Sequence, residues 1–153
     1  MGSLPSSKKF PLLKIRRARA SDAKALSDLN YEFNQVRMKA SVVVRKLHSK
    51  REIVLVALFD RVIVGFACGQ IYDSVCYPQP QAELTELFVR REFRRNGIAT
   101  QLCRMIETEA GLRKAVDIHL LTNRKNSNAR ALYGSLGYRA KNDVVHAKDI
   151  KRE

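Results

Sequence analysis

The stretch VRREFRRNGIATQL, residues 89–102, sets four arginines around one glycine and then turns apolar. The residues just before it, AELTELFV at 82–89, have the composition of a β-strand. The apolar residues after Gly97 recur at helical spacing. A strand therefore leads through a short loop into a helix, whose first N–H groups and dipole favour an anion. This segment predicts a phosphate-binding turn, because glycine lets the anion approach the backbone.

The two common nucleotide-binding glycine motifs are absent from the chain. There is neither G-x-x-x-x-G-K-[ST] nor G-x-G-x-x-G, so cradles for ATP or a dinucleotide are not indicated. One glycine beside arginines also fits a simple strand end whose arginines face water. The residues of this loop alone leave both interpretations open.

Composition indicates a globular chain with a strong basic charge. The 153 residues are 45 % hydrophobic and carry a formal net charge of +14, which favours an anionic ligand or surface. We expect a flexible leader over 1–10 and a single domain over 11–153. The three cysteines are scattered, and no apolar run is long enough to span a membrane. These features predict a cytoplasmic protein with no membrane partner.

The hydrophobic pattern predicts the element order β-α-α-β-β-β-α-β-α-β-β. A hairpin is expected from EIVLVALFD and VIVGFACGQIY, with its turn at Asp60 and Arg61. A proline-containing loop follows at 73–81, and a late helix ends at Gly137. Two short strands within 138–150 are expected to close an α/β fold on a mixed sheet.

Two motifs resemble those of the GNAT superfamily of acyl-CoA-dependent N-acetyltransferases. Residues 94–99, RRNGIA, match the first motif, Q/R-x-x-G-x-G/A. Residues 126–138, NSNARALYGSLGY, match the second motif at Asn126, Ala129, Tyr133, Gly137 and Tyr138. This loop departs from the family pattern at two positions that affect its stiffness. The proline that is common before the first motif is replaced, and the position where the family often has glycine is occupied by Arg95.

The resemblance implies a GNAT-like sheet, mixed but mostly antiparallel and flanked by helices, with strands 4 and 5 splayed around the cofactor. That cofactor would be acetyl-CoA, and no metal is implied. Its pyrophosphate would bind the amides of 95–99, and its pantetheine arm would lie between 83–89 and 116–123. The implied cofactor-binding residues are Leu87, Phe88, Val89, Arg94, Arg95, Asn96, Gly97, Ile98, Ala99, Thr100, Asn126 and Ala129.

The same resemblance suggests the catalytic residues. Tyr133 stands where the family commonly places the general acid for the departing thiolate. Glu86 is the candidate base or amine anchor, and Glu83 is second. Strand alternation sets Glu83 and Glu86 on opposite faces unless a bulge intervenes. Asn126 could instead cap the last helix.

The acceptor is expected to be a primary amine that attacks the thioester directly. Candidate substrate-binding acids are Glu32, Asp73, Glu83, Glu86 and Asp143. If several of them converge, a small polycation such as an aminoglycoside or polyamine fits, and the sequence loosely resembles aminoglycoside N-acetyltransferases. Protein N-termini or lysines are the alternative acceptors.

A non-enzymatic alternative is a basic nucleic-acid-binding domain. It is disfavoured because no RNA-binding motif is recognisable and aromatic residues do not interleave the arginines. A homodimer is common in the family, although no feature of this sequence demands one.

Overall fold

The computed structural model describes residues 12–150, which form two compact units that divide after Leu121. The predicted leader, 1–10, lies outside the described residues. The single domain expected over 11–153 stays a prediction. No helix within 12–150 is long and apolar enough to cross a membrane.

The first unit contains a five-stranded sheet in the order β1-β2-β3-β4-β5. Its strands are β1 (Leu13–Arg17), β2 (Glu52–Phe59), β3 (Val62–Tyr72), β4 (Gln81–Val89) and β5 (Ile118–Leu120). All neighbours pair antiparallel except β4 and β5, which are parallel. The predicted mixed, mostly antiparallel sheet is confirmed. So is the hairpin, whose turn residues Asp60 and Arg61 both have positive φ, as a type I′ turn requires.

Helices cover both faces of this sheet. Helix α3 (Ile98–Leu112) packs on one face, close enough to β3 that a Cβ on Gly69 would lie 3.2 Å from Ile106. Helices α1 (Ala23–Asn34) and α2 (Ala40–Leu47) pack on the other. There Leu26 and Leu29 of α1 meet Val56 and Phe66 of the sheet, so the apolar stripe of α1 is buried.

A buried ion pair fixes the approach to α1. Asp22, 5 % exposed, accepts hydrogen bonds from both Arg16 guanidinium nitrogens at 2.6 and 3.0 Å. It also accepts one from the Arg19 backbone N–H at 2.7 Å. The Arg16 guanidinium holds the pKa of this carboxyl below its usual range. Asp22 thus ties the end of β1 to the start of α1.

The second unit, described from Thr122 to Ile150, contains one helix, α4 (Ser127–Ser135). Gly137 follows it with φ +91°, the left-handed conformation expected after a helix end. The two strands predicted within 138–150 are wrong: the described residues there form none. Val144, Val145 and Ile150 are exposed. Strand pairing here would therefore gain little from the burial of apolar side chains.

Candidate active site

The loop before α3 offers a row of free backbone donors. Gly97, the residue that caps α3, has φ +72°. Among the described residues, the N–H groups of 95–100 donate to no protein acceptor, whereas the Gln101 N–H bonds to the Gly97 carbonyl. These free N–H groups lie at the positive end of a 15-residue helix. The geometry suits a phosphate, as the sequence predicts.

The arginines of this loop have different partners. Arg94 Nε donates to the Val89 carbonyl at 2.8 Å and so ties the loop to the end of β4. Arg95 is exposed and has φ +63°, a conformation that glycine adopts freely. Arg90 instead makes a salt bridge to Glu32 at 2.7 Å. Arg94 and Arg95 therefore remain the candidates for phosphate contact, and the charge of Arg90 is already compensated.

Strands β4 and β5 separate soon after they meet. Only three residue pairs join them, Ala82 with Ile118, Glu83 with His119 and Leu84 with Leu120. From Glu86 to Val89, β4 keeps its pairing with β3 but has no strand partner on the β5 side among the described residues. The open edge exposes backbone groups that can pair with an extended amide-containing arm. The loop donors suit the pyrophosphate of coenzyme A, and the open edge of β4 suits its pantetheine arm.

A β-bulge in β4 decides where the acidic residues point. Cys68 pairs with Glu86 and Gly69 with Leu84, so Thr85 is the extra residue. One extra residue reverses the alternation, and Glu83 and Glu86 share the face that α1 covers. The hydroxyl of Thr85 donates to the Cys68 carbonyl at 3.2 Å. The sequence left open whether a bulge interrupts this strand, and the structure contains one.

Each of these two carboxylates has a neighbour. Glu86 Oε2 accepts from Asn34 Nδ2 of α1 at 3.4 Å. Glu83 Oε2 lies 3.9 Å from His119 Nε2 on β5. The pKa of the nearby Tyr72 hydroxyl is raised, mainly by burial and then by Asp117 and Glu83. Both acids border the opening between β4 and β5.

Aromatic rings adjoin this acidic pair. The Phe33 ring stacks on Phe88 with centroids 5.2 Å apart and meets Phe66 edge-on. Phe33 is still 39 % exposed, so its free surface faces solvent. No sequence motif marks Phe33, and its apolar character alone does not distinguish it from a core residue of α1. The Phe88 ring is occupied by this cluster, and its backbone pairs with Phe66 of β3, so the cofactor role expected for Phe88 stays a prediction.

The other predicted acids are not joined to this pair. Glu32 is paired with Arg90, as described above. Asp73 lines a separate cavity of about 600 Å³ near the beginning of β2 and the end of β3. Asp143 belongs to the second unit. Of the five predicted substrate-binding acids, the first unit brings together Glu83 and Glu86.

In the second unit, the predicted residues cluster around α4. Asn126 Oδ1 accepts a hydrogen bond from the Ala129 N–H at 3.1 Å, so Asn126 caps the helix. The Tyr133 ring meets Tyr138 edge-on at 5.8 Å between centroids. The cofactor roles of Asn126 and Ala129 and the catalytic role of Tyr133 stay predictions.

Comparison with known proteins decides the family. The sequence profile described as the acetyltransferase (GNAT) family matches residues 18–138. This chain belongs to the GNAT acetyltransferase family. It is therefore an enzyme, an N-acetyltransferase that uses acetyl-CoA as its cofactor.

Relatives of this acetyltransferase agree with the assignment. It is 27 % identical to YhfO, an uncharacterized N-acetyltransferase of Bacillus subtilis (strain 168), over 88 % of this chain and 95 % of YhfO. Its fold matches aminoglycoside N-acetyltransferase AAC(6')-Iy in complex with CoA, with TM-score 0.80, 19 % identity and coverage of 93 and 97 %. It also matches a ribosomal-protein-alanine N-acetyltransferase of Brucella melitensis biovar Abortus 2308, with TM-score 0.76, 19 % identity and coverage of 91 and 100 %.

Proposed function

We propose that this acetyltransferase acetylates a primary amine of a small polycation, such as an aminoglycoside or a polyamine. The observation that carries the proposal is the β4 bulge, which turns Glu83 and Glu86 to one face beside the open edge of β4. Two carboxylates at that point attract an amine that carries more than one positive charge. The fold likeness to an aminoglycoside N-acetyltransferase is consistent with this acceptor class.

The net charge of +14 does not exclude a cationic acceptor. At about 0.15 M salt the Debye length is roughly 8 Å, so distant basic residues are largely screened at the site. Local carboxylates therefore dominate the field that the bound amine experiences. The exposed Phe33 ring adds a surface on which an ammonium group can rest.

Cofactor binding is assigned to the backbone of two neighbouring segments. The free N–H groups of 95–100 would hold the pyrophosphate, and Arg94 and Arg95 would border it. The open edge of β4 at Leu87 and Val89 would pair with the pantetheine amides. Acetyl-CoA supplies the acetyl group as a reactive thioester.

Proton transfer is assigned to Glu86 and Tyr133. An amine of pKa near 10 is mostly protonated at neutral pH and must lose a proton before it attacks. Glu86, oriented by Asn34, would accept that proton directly or through water. Glu83 would hold a second ammonium group of the acceptor. By family likeness, Tyr133 would donate its phenolic proton to the departing thiolate.

A panel of acceptors tests the substrate class. Kanamycin, spermidine and peptides with free N-termini or lysines would be supplied with acetyl-CoA, and release of CoA thiol would be followed. We expect turnover with kanamycin, spermidine or both. Turnover of peptides alone would contradict the proposal and favour the second candidate, protein acetylation, which the fold likeness to the ribosomal-protein-alanine N-acetyltransferase supports.

Carboxylate variants test the site in the same assay. Glu86→Gln should lower kcat/KM by about 10²- to 10⁴-fold, the usual contribution of general base catalysis. Glu107→Gln removes a carboxylate of α3, on the other face of the sheet, and should leave the rate unchanged. Equal rates for Glu86→Gln and the unmodified chain would exclude Glu86 as base.

Tyr133→Phe tests the proposed acid. Because it removes one hydroxyl and keeps the ring, we expect kcat to fall roughly ten- to a thousand-fold without loss of folding. Steady-state kinetics and circular dichroism would measure both quantities. Unchanged turnover would remove Tyr133 from the mechanism.

A further inference from the structure

The first unit has a basic cavity whose lining contains none of the residues assigned above to acetyl transfer. It is a partly open cavity of about 600 Å³, and four of its lining residues carry positive charge, Arg17, Lys50, Arg51 and Arg113. The lining has a single carboxylate, Asp73. A volume of this size suits a small ligand, and a lining this polar suits a charged one.

The cavity is remote from the phosphate-binding loop. Arg113 follows the C-terminal end of α3, whereas the loop at 94–100 precedes its N-terminal end. A helix of 15 residues is about 22 Å long. The two basic sites therefore lie at opposite ends of α3, and one compact anion cannot occupy both.

Protein contacts hold two of the four cationic side chains of this cavity in place, those of Arg17 and Arg113. Arg113 Nη1 donates to the Lys50 carbonyl at 3.1 Å, and Arg17 Nε donates to Glu109 at 3.1 Å. The Arg51 carbonyl accepts from the Ile71 N–H at 2.8 Å, which fixes the chain at the rim. Within the described chain, the Nε and Nη2 groups of Arg113 donate to no protein acceptor. They remain available to a ligand.

Like charges are held together here without full compensation. The pKa of Arg113 is lowered, first by burial and then by the positive charge of Arg17, while Glu109 opposes this. Glu109 is paired with Arg17, and Asp73 is the one carboxylate in the lining beside the other three cations. An anion with several charges would relieve the repulsion between these cations and accept hydrogen bonds from the unused N–H groups of Arg113.

We propose that this cavity binds a compact phosphorylated anion, with at least two phosphate groups, independently of coenzyme A. Guanidinium groups match phosphate oxygens by paired hydrogen bonds. The lining contains no Phe, Tyr or Trp, and its one aromatic ring, His48, is hydrogen-bonded through Nδ1 to the Val44 carbonyl, so an oligophosphate suits it better than single-stranded nucleic acid. This proposal does not depend on the acceptor suggested above.

Calorimetric titration of the full chain with inorganic tripolyphosphate, at saturating coenzyme A, tests the proposal. Saturation removes the contribution of the loop at 94–100. We expect one site, and we expect Arg113→Gln to weaken it by about tenfold, the loss of a charge-assisted hydrogen bond. Arg61→Gln, in the β2–β3 turn, removes the same charge outside the cavity and should change little. Equal weakening in both variants, or no heat, would overturn the proposal.

Asp73→Asn supplies a test that misfolding cannot imitate. Removing the one carboxylate of the lining should tighten tripolyphosphate severalfold and leave coenzyme A affinity unchanged. No tightening would contradict the assignment. A single-stranded RNA oligonucleotide that binds more tightly than tripolyphosphate, and is lost in Arg113→Gln, would overturn it in favour of a nucleic-acid site.

Discussion

At the scale of single residues, Gly97 is required for its backbone conformation rather than for space. Its φ is +72°, and a Cβ added there would meet nothing within 4 Å. Steric crowding between neighbouring side chains therefore plays no part in this requirement. The left-handed conformation alone makes a side chain costly at this turn.

Two glycine-to-alanine variants separate these effects. Gly97→Ala should lower the free energy of unfolding by about 1 kcal/mol, because alanine resists positive φ. Gly111→Ala, in the last turn of α3 with equally open surroundings, should raise it by up to about 1 kcal/mol through helix propensity. Urea unfolding would measure both. Changes of the same sign would contradict this account of Gly97.

Asp22 makes stability depend on acid pH. Its folded-state pKa is lowered by Arg16, so its contribution is complete above the ordinary carboxyl pKa of 3.8 and is lost as pH falls through the folded value. Asp22→Asn should cost about 2 kcal/mol at pH 7. The difference from the unmodified chain should shrink below pH 4, as measured by urea unfolding at several pH values.

Asp28→Asn is the matched control for that experiment. Asp28 forms ion pairs as Asp22 does, with Lys24 and Arg37, but at the surface. Exposed ion pairs contribute little because water screens them. A loss of stability as large as that of Asp22→Asn would contradict the importance given to burial.

At the scale of elements, the Thr85 bulge shapes the opening between β4 and β5. Bulges bend a strand and increase its twist. Deleting Thr85 keeps every other β3–β4 pair and keeps Glu83 and Glu86 on one face, but it straightens β4. We expect the variant to fold and to bind coenzyme A at least about tenfold more weakly, a loss of roughly 1.4 kcal/mol. Calorimetric titration would measure the change, and unaltered affinity would show that the bulge does not shape the cofactor site.

The elements also show how far the sequence alone could lead. The loop at 94–100 was predictable because glycine and a strand-to-helix change leave strong local signals. The bulge at Thr85 was not, because Thr fits a regular strand equally well and the extra residue appears only in the pairing with β3. The strands expected within 138–150 failed for a related reason. Their short valine run matches a strand locally, but its side chains stay exposed.

At the scale of the whole molecule, the charge of +14 divides among several roles. Three of the arginines form ion pairs within the fold: Arg16 with Asp22, Arg17 with Glu109, and Arg90 with Glu32. Composition could predict the excess of positive charge but not this division, because long-range contacts in the fold decide which guanidinium groups remain unpaired.

The cysteines differ in accessibility. Cys103 is buried in α3, and burial raises its pKa to about 12. Cys68 faces Glu86 in the β3–β4 pairing, and burial raises its thiol pKa as well, with added effects of Glu52 and Glu86. Cys76 is exposed in the loop between β3 and β4.

Thiol chemistry at neutral pH should therefore select one position. Iodoacetamide should add one carbamidomethyl group per folded chain, at Cys76, as peptide mass spectrometry would measure. Two or three adducts before unfolding would contradict the burial of the other thiols. The same selectivity makes Cys76 a natural attachment point for a fluorophore, and it means that copies stored without reductant should become covalently cross-linked through this loop.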